Sequence, residues 1–184
     1  MSSWIDRYLR TKQPPPLDEI AASLWTGTGL NEWSRPADAY HDALLDQYKT
    51  YVEMADRISA RRGMANVFFL TLNTAIATAI GVFWEHPPTA SVWLAVAPLV
   101  ALLGQCVAWF WILRSYRQLN AAKYAVIGAL EQRLPASPYW GAEWTALGEG
   151  KDPARYWPIT HLEQWIPLIF VLVYFIGFVS LLIA

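Results

Sequence analysis

Three stretches of the chain run for about 20 residues or more without a charged side chain: 63–84, 87–113 (with its apolar body from Ser91) and 164–184. At about 1.5 Å of rise per residue, each matches a hydrocarbon core of roughly 30 Å. Backbone groups in lipid must be satisfied within the segment, so these stretches are expected to be helices. Helices buried in a water-soluble protein seldom run so long without a charge. The pattern therefore predicts an all-α integral membrane protein with transmembrane helices at 63–84, 91–113 and 164–184.

The flanking segments carry helical periodicity of a different kind. Ser34 suits an N-cap and Pro36 a first turn. Beyond them Tyr40, Leu44, Tyr48, Tyr51, Ala55 and Ile58 recur at steps of three or four, one apolar stripe on a helix at 34–62. No Gly or Pro interrupts it before Gly63, so it is expected to run on into the first span. After the second span, Tyr116, Leu119, Lys123, Val126, Leu130 and Leu134 repeat the spacing over 114–134, and Pro135 ends the helix. Joined to antiparallel spans, these long helical extensions should lie side by side as a hairpin clear of the bilayer. Their stripes serve either packing within one subunit or assembly between subunits.

Segment 1–33 has two short amphipathic pieces, one with Trp4, Ile5, Tyr8 and Leu9, the other with Leu17, Ile20, Ala21, Leu24 and Trp25. Pro14, Pro15 and Pro16 divide them. They would lie on the membrane surface or pack on a neighbouring subunit. Asp6, Arg7 and Arg10 interrupt the first, so 1–12 is not expected to be a signal peptide. Segment 135–163 is rich in aromatics, Gly and Pro and reads as an ordered loop at the membrane interface, anchored by Trp140, Trp144, Tyr156 and Trp157. Thr160 and Glu163 have capping-box spacing for the third membrane helix, and Pro167 should fall in its opening turns.

Charge sets the orientation. Only 16% of residues are charged, against roughly a quarter in a soluble domain. Of the 14 Lys and Arg, eight precede the first span and six lie between the second and third. The loop at 85–90 has none. The N-terminus and the extensions should be cytoplasmic, that loop outside, and the C-terminus at the outer face. Trp84 and Trp93 would mark the outer interface, and Trp109, Trp111 and Trp165 the inner one. A net charge of -1 offers no footprint for nucleic acid, and one cysteine, Cys106, excludes a disulfide framework.

Within the spans, Asn66, Asn73, Thr71, Thr74, Thr78, Ala77 and Gly81 fall on one arc, opposite Phe68, Phe69, Leu72, Ile76, Ile80 and Phe83. The second span carries a small-residue seam, Ala97, Ala101, Gly104 and Ala108, with Gln105 at its edge. Small residues let helices approach in lipid, and amides bond across the contact. Asn73 and Gln105 lie at similar depths, about 14 and 12 Å from the inner ends of their helices, and are expected to meet. The alternative is an arc lining a pore, although it contains no charge.

No catalytic set emerges. Asp38, Asp42 and Asp46 share a helix face with His41 beside it, which reads as a solvated acidic face near a helix N-terminus rather than a metal site. His86 and His161 stand alone, and Cys106 is inside a span. Gly148-Glu149-Gly150 lacks the strand and Lys-Ser/Thr of a phosphate loop. The expectation is a protein without enzyme activity, metal or cofactor.

Arg114, Tyr116, Arg117, Asn120 and Lys123, then Trp144 and Gly148, then Tyr156, Pro158, Thr160, Glu163 and Pro167 form a pattern that resembles the RipA-like family of small octameric bacterial inner-membrane proteins. The likeness runs from about Tyr40 to the C-terminus. It implies a homo-octamer in the bacterial cytoplasmic membrane, with itself and lipid as partners and no assigned enzyme activity. A weaker resemblance, to SLATT-type membrane effectors, implies a pore-forming role; the third span and the Tyr156 to Pro167 motif depart from it.

Overall fold

The computed structural model describes residues 14–27, 29, 33, 36–85, 96–157 and 159–183, without the side chains of 82–85, 160 and 161. Four helices are present among the described residues: α1 (Leu17–Leu24), α2 (Ala37–Glu85), α3 (Val96–Glu131) and α4 (Ile159–Ile183). A π-helical turn (Pro138–Glu143), an α-helical turn (Trp144–Ala146) and a 3-10 turn (Gly148–Gly150) separate α3 from α4. No strand occurs among the described residues. Helices α2, α3 and α4 are each long and apolar enough to cross a membrane, as the uncharged runs predict. The first short helix, the Ser34 cap, the 85–90 loop beyond Glu85, His86, Trp93, Pro158 and the Thr160 side chain lie outside the described residues, as does the side chain of Trp84.

Helix α2 is unbroken for 49 residues across Gly63, running on into the first span as expected. Other boundaries move. Helix α3 stops at Glu131, short of Leu134, because the next turns close on Leu130 and Glu131 carbonyls: Arg133 N donates to Leu130 O and Leu134 N to Glu131 O, each at 3.1 Å. Helix α4 begins at Ile159, one residue before the Thr160 proposed as its cap and five before the uncharged span, and Pro167 lies inside it, fully buried. The segment expected to be a loop is mostly helical turns.

The chain forms two compact units, Met1–Ile58 with Gln118–Trp157 and Ser59–Arg117 with Pro158–Ala184. In the first, the start of α2 runs antiparallel to the end of α3. Leu44, Ala55 and Ile58 are buried, as the stripe on α2 requires. The Lys123 ammonium stands 4.5 Å over the Tyr51 ring. The stripe on α3 departs from expectation: Leu119 is 47% exposed, whereas Ala125, Ile127, Ala129 and Leu130 are all buried. Two layers cover the last turns of α3, α2 on one side and the π-helical turn on the other, so no exposed position remains from Ala125 to Glu131. Helix α1 packs on its own chain, with the Arg133 guanidinium 3.5 Å over the Trp25 ring.

Gly128 permits the second layer. A Cβ there would lie 2.7 Å from the Trp140 indole. Gly128→Ala is therefore expected to displace Trp140 and to destabilise this unit by about 1–3 kcal/mol, read as a lower denaturation midpoint by near-UV circular dichroism.

In the second unit, Leu102, Cys106 and Tyr174 form the centre, with Ile76, Leu99, Phe170 and Val171 against them. It joins all three membrane helices.

Candidate functional site

The polar groups of the membrane unit sort into three places. The first is internal. Trp109 is fully buried and stacks on Phe69 at 5.6 Å, with interplanar angle 12°. It also packs on Phe170 at 6.0 Å. Its indole N–H donates to Asn66 Oδ1 at 3.0 Å. The assignment of Trp109 to the inner interface belt is thereby overturned: a buried N–H in an apolar bundle needs an acceptor, and Asn66 supplies it. Trp165, by contrast, is 63% exposed, as a belt residue would be.

Asn73 is the second internal group. Its Oδ1 accepts from the Tyr174 hydroxyl at 2.7 Å, with Cys106 Sγ 3.8 Å away, and its Nδ2 donates to Phe69 O at 2.7 Å. Asn73 therefore ties all three helices together, but not through Gln105. One residue on α3 is a rotation of about 100°, so Cys106 faces Asn73 while Gln105 turns to an open recess. That recess, of about 220 Å³, is lined by Ile76, Ile80, Pro98, Ala101, Leu102 and Gln105. Asn73 has no exposed surface, so it cannot reach an amide of another subunit either. Asn73→Leu is expected to leave Tyr174 without its acceptor and to weaken the bundle by about 1–2 kcal/mol. The check is the midpoint of SDS-induced unfolding, and an unchanged midpoint would contradict the assignment.

The second place is the outer surface of the unit. The predicted polar arc is split. Asn66 and Asn73 face inward together with Phe69, Leu72 and Ile76, while Thr71, Thr74, Ala77, Thr78 and Gly81 are exposed. Thr74 and Thr78 donate their hydroxyls to Leu70 O and Thr74 O of their own helix, at 2.8 and 2.9 Å. The seam on α3 is open as well: Ala97, Ala101, Gly104 and Ala108 are all exposed, and a Cβ at Gly104 would meet nothing within 4 Å. Beside the seam, Gln105 Nε2 is buried with no hydrogen-bond partner among the described residues.

The third place is the end of the bundle marked by the family-like residues. Arg62 Nε stands 3.3 Å from Glu163 Oε2, out of line for a hydrogen bond. Arg117 Nη1 donates to Gln164 Oε1 at 3.2 Å. Arg114 is 6% exposed, with its guanidinium 5.8 Å over the Trp111 ring. Burial, and second the nearby charge of Arg114, lower the proton affinity of Arg117. Of the remaining motif residues, Tyr116, Asn120 and Tyr156 are partly buried and Trp144 is exposed, its ring edge 3.0 Å from where a Gly150 Cβ would lie. Gly148 begins three successive residues with positive φ (68°, 55° and 69°), a left-handed turn that explains both glycines without any phosphate chemistry.

On the acidic face of α2, His41 Nδ1 bonds Ala37 O at 3.0 Å, so that nitrogen carries the proton. One polar centre escaped the sequence reading. Glu131, almost fully buried, accepts from the Tyr48 hydroxyl (3.0 Å), the Ser137 hydroxyl (2.6 Å), Tyr139 N (3.0 Å) and Trp140 N (2.9 Å). The available signal was an acid directly after Ile127–Leu130, a run in which every position is apolar or small.

A model of the octameric membrane protein family (8xMP) matches residues 45–183. No curated protein and no solved structure matches the chain.

Proposed function

The chain belongs to the octameric membrane protein family, and on that premise we propose that it is a non-enzymatic bacterial inner-membrane protein whose eight copies meet through the seam on α3. The role is assembly or scaffolding, as the resemblance to the RipA-like proteins suggests. The N-terminus lies in the cytoplasm and the C-terminus at the outer face, on the strength of the distribution of Lys and Arg. The observation that supports this reading is the open face of Ala97, Ala101, Gly104 and Ala108 with the unbonded Gln105 amide at its edge. In lipid, apolar surface has no reason of its own to leave the solvent. Close backbone approach at small residues and interhelical amide bonds supply the association.

Gly104→Leu tests it. The bulkier side chain should dissociate the octamer, read by native mass spectrometry, while the circular dichroism of the subunit stays unchanged. An intact octamer would move the interface elsewhere. Purified protein in liposomes should pass no ions; flux would favour the pore reading. A tag inserted near His86 should be reached only from outside the cell.

A further inference from the structure

The membrane unit exposes two faces of small residues and one of large ones. On α3 the seam of Ala97, Ala101, Gly104 and Ala108 lies open, and on α2 so do Thr71, Thr74, Ala77, Thr78 and Gly81. A Cβ at Gly81 or at Gly104 would meet nothing within 4 Å. Helix α4 differs: its exposed positions include Leu162, Trp165, Ile169, Leu172, Phe175 and Ile176. Long side chains hold a neighbouring backbone away and are well solvated by acyl chains, whereas small ones let helices close up. Helix α4 is therefore the side suited to lipid, and the two small faces are the sides suited to other copies.

Ring closure says how those faces pair. Every copy carries the same distribution of Lys and Arg, so all copies insert in one direction, and the rotation that relates them runs along the membrane normal. A face that met its own counterpart would close a dimer. Eight copies in one ring need two different faces that meet at each contact. Rotation about the normal keeps every atom at its own depth, so groups that meet must share a level. Asn73 Oδ1 and Cys106 Sγ are 3.8 Å apart, which levels α2 with α3. Thr74 follows Asn73, and Gln105 precedes Cys106 on the antiparallel helix. Each step is about 1.5 Å in the same direction, so Thr74 and Gln105 stand at one depth. One turn further, Thr78 and Ala101 again share a level. The chemistry matches too. Thr74 Oγ1 donates to Leu70 O at 2.8 Å and keeps lone pairs that can accept. Gln105 is partly exposed beside its recess, and its Nε2 has no partner among the described residues. A half-turn of its last side-chain bond exchanges oxygen and nitrogen and turns that N–H outward.

We infer that the seam on α3 receives the threonine face of α2 from a neighbouring subunit, with Gln105 donating to that subunit's Thr74 hydroxyl. The inference rests on the seam being an interface and names what the seam meets. It puts the threonines between subunits rather than along a pore.

The test is disulfide trapping in the full-length protein carrying Cys106→Ala, which leaves no other thiol. Should that background fail to assemble, Cys106 is retained, since it is buried. Chains with Gly104→Cys and chains with Thr74→Cys are co-expressed with tags of different mass and oxidised in the membrane. Linked pairs holding one chain of each kind should form, with none in either variant expressed alone. Ala101→Cys with Thr78→Cys should behave likewise. In the native sequence, Thr74→Val and Gln105→Leu should each weaken the octamer about threefold to tenfold per contact, and the double variant no further. If Gly104→Cys chains link to one another and the mixtures add nothing, the inference is overturned while the seam stays an interface. If no mixture links, the inference is overturned, and Gly104→Leu then tells which reading has failed: a dissociated octamer spares the seam, an intact one removes it as well. Losses that add in the double variant would overturn the bond between Gln105 and Thr74.

Discussion

Trp109→Ala is expected to be the most damaging single substitution in the membrane unit, lowering its stability by about 3–5 kcal/mol. The side chain is wholly enclosed, stacked on Phe69 from α2 and packed on Phe170 from α4. Truncation removes both ring contacts and opens a cavity that three rigid helices cannot close. It also strips Asn66 Oδ1 of the indole N–H that satisfies it. The measurement is SDS-induced unfolding of the full-length protein followed by far-UV circular dichroism. Trp109→Phe keeps a ring in the stack while it removes the donor and part of the ring area, so it should cost well below alanine, about 1–2 kcal/mol. A tryptophan at the lipid interface would behave otherwise. Its replacement would change membrane positioning while leaving the helix bundle nearly as stable as before, and that outcome would return Trp109 to the belt.

How Trp109 escaped the sequence reading shows where a membrane sequence stops being informative. The spans themselves are legible, because lipid tolerates neither charge nor open backbone over that length. So is the stripe of Leu44, Ala55 and Ile58, because water on the other side of α2 forces polar residues there. Inside the bilayer that contrast vanishes. Phe68 and Phe69 are adjacent and chemically identical, yet Phe68 is 60% exposed and Phe69 stacks on Trp109. Lipid is as apolar as the core, so hydrophobicity cannot choose the inward face. Only polar groups discriminate, since each needs a partner. The amides were recognised, but Asn73 was paired by depth with Gln105. The mid-span phenol of Tyr174, which needs an acceptor just as much, lies closer to its oxygen. In the family-like motif, the burial of Arg114 and the pairing of Arg117 with Gln164 could not be read from spacing at all, because both depend on how α4 meets α3.

The other large effect is expected in the first unit, where Glu131→Ala should cost about 3 kcal/mol or more. Four donors converge on this one buried carboxylate: two hydroxyls, from Tyr48 and Ser137, and two backbone N–H groups at the start of the π-helical turn. Those N–H groups belong to a helical turn's beginning, where a negative charge is favourable and unpaired donors are otherwise left over. Alanine would leave all four without an acceptor, and the layer that covers Gly128 would lose its anchor. Glu131→Gln keeps the shape but presents an NH₂ to some of these donors, so it should fall between alanine and wild type. Tyr48→Phe removes one donor cleanly and should cost only about 1 kcal/mol. The arrangement also carries a pH signature. Burial, and then the hydrogen bond to Glu131 and its charge, raise Tyr48 above the ordinary phenol value of 10.0. A raised folded-state value stabilises the protonated form. The contribution is therefore complete below about pH 10 and drains away as the pH climbs beyond it. Denaturation midpoints taken on both sides of that value should fall on the alkaline side in the wild type and fall less in Tyr48→Phe. Equal slopes in the two proteins would show that the Tyr48 hydroxyl does not rest on Glu131.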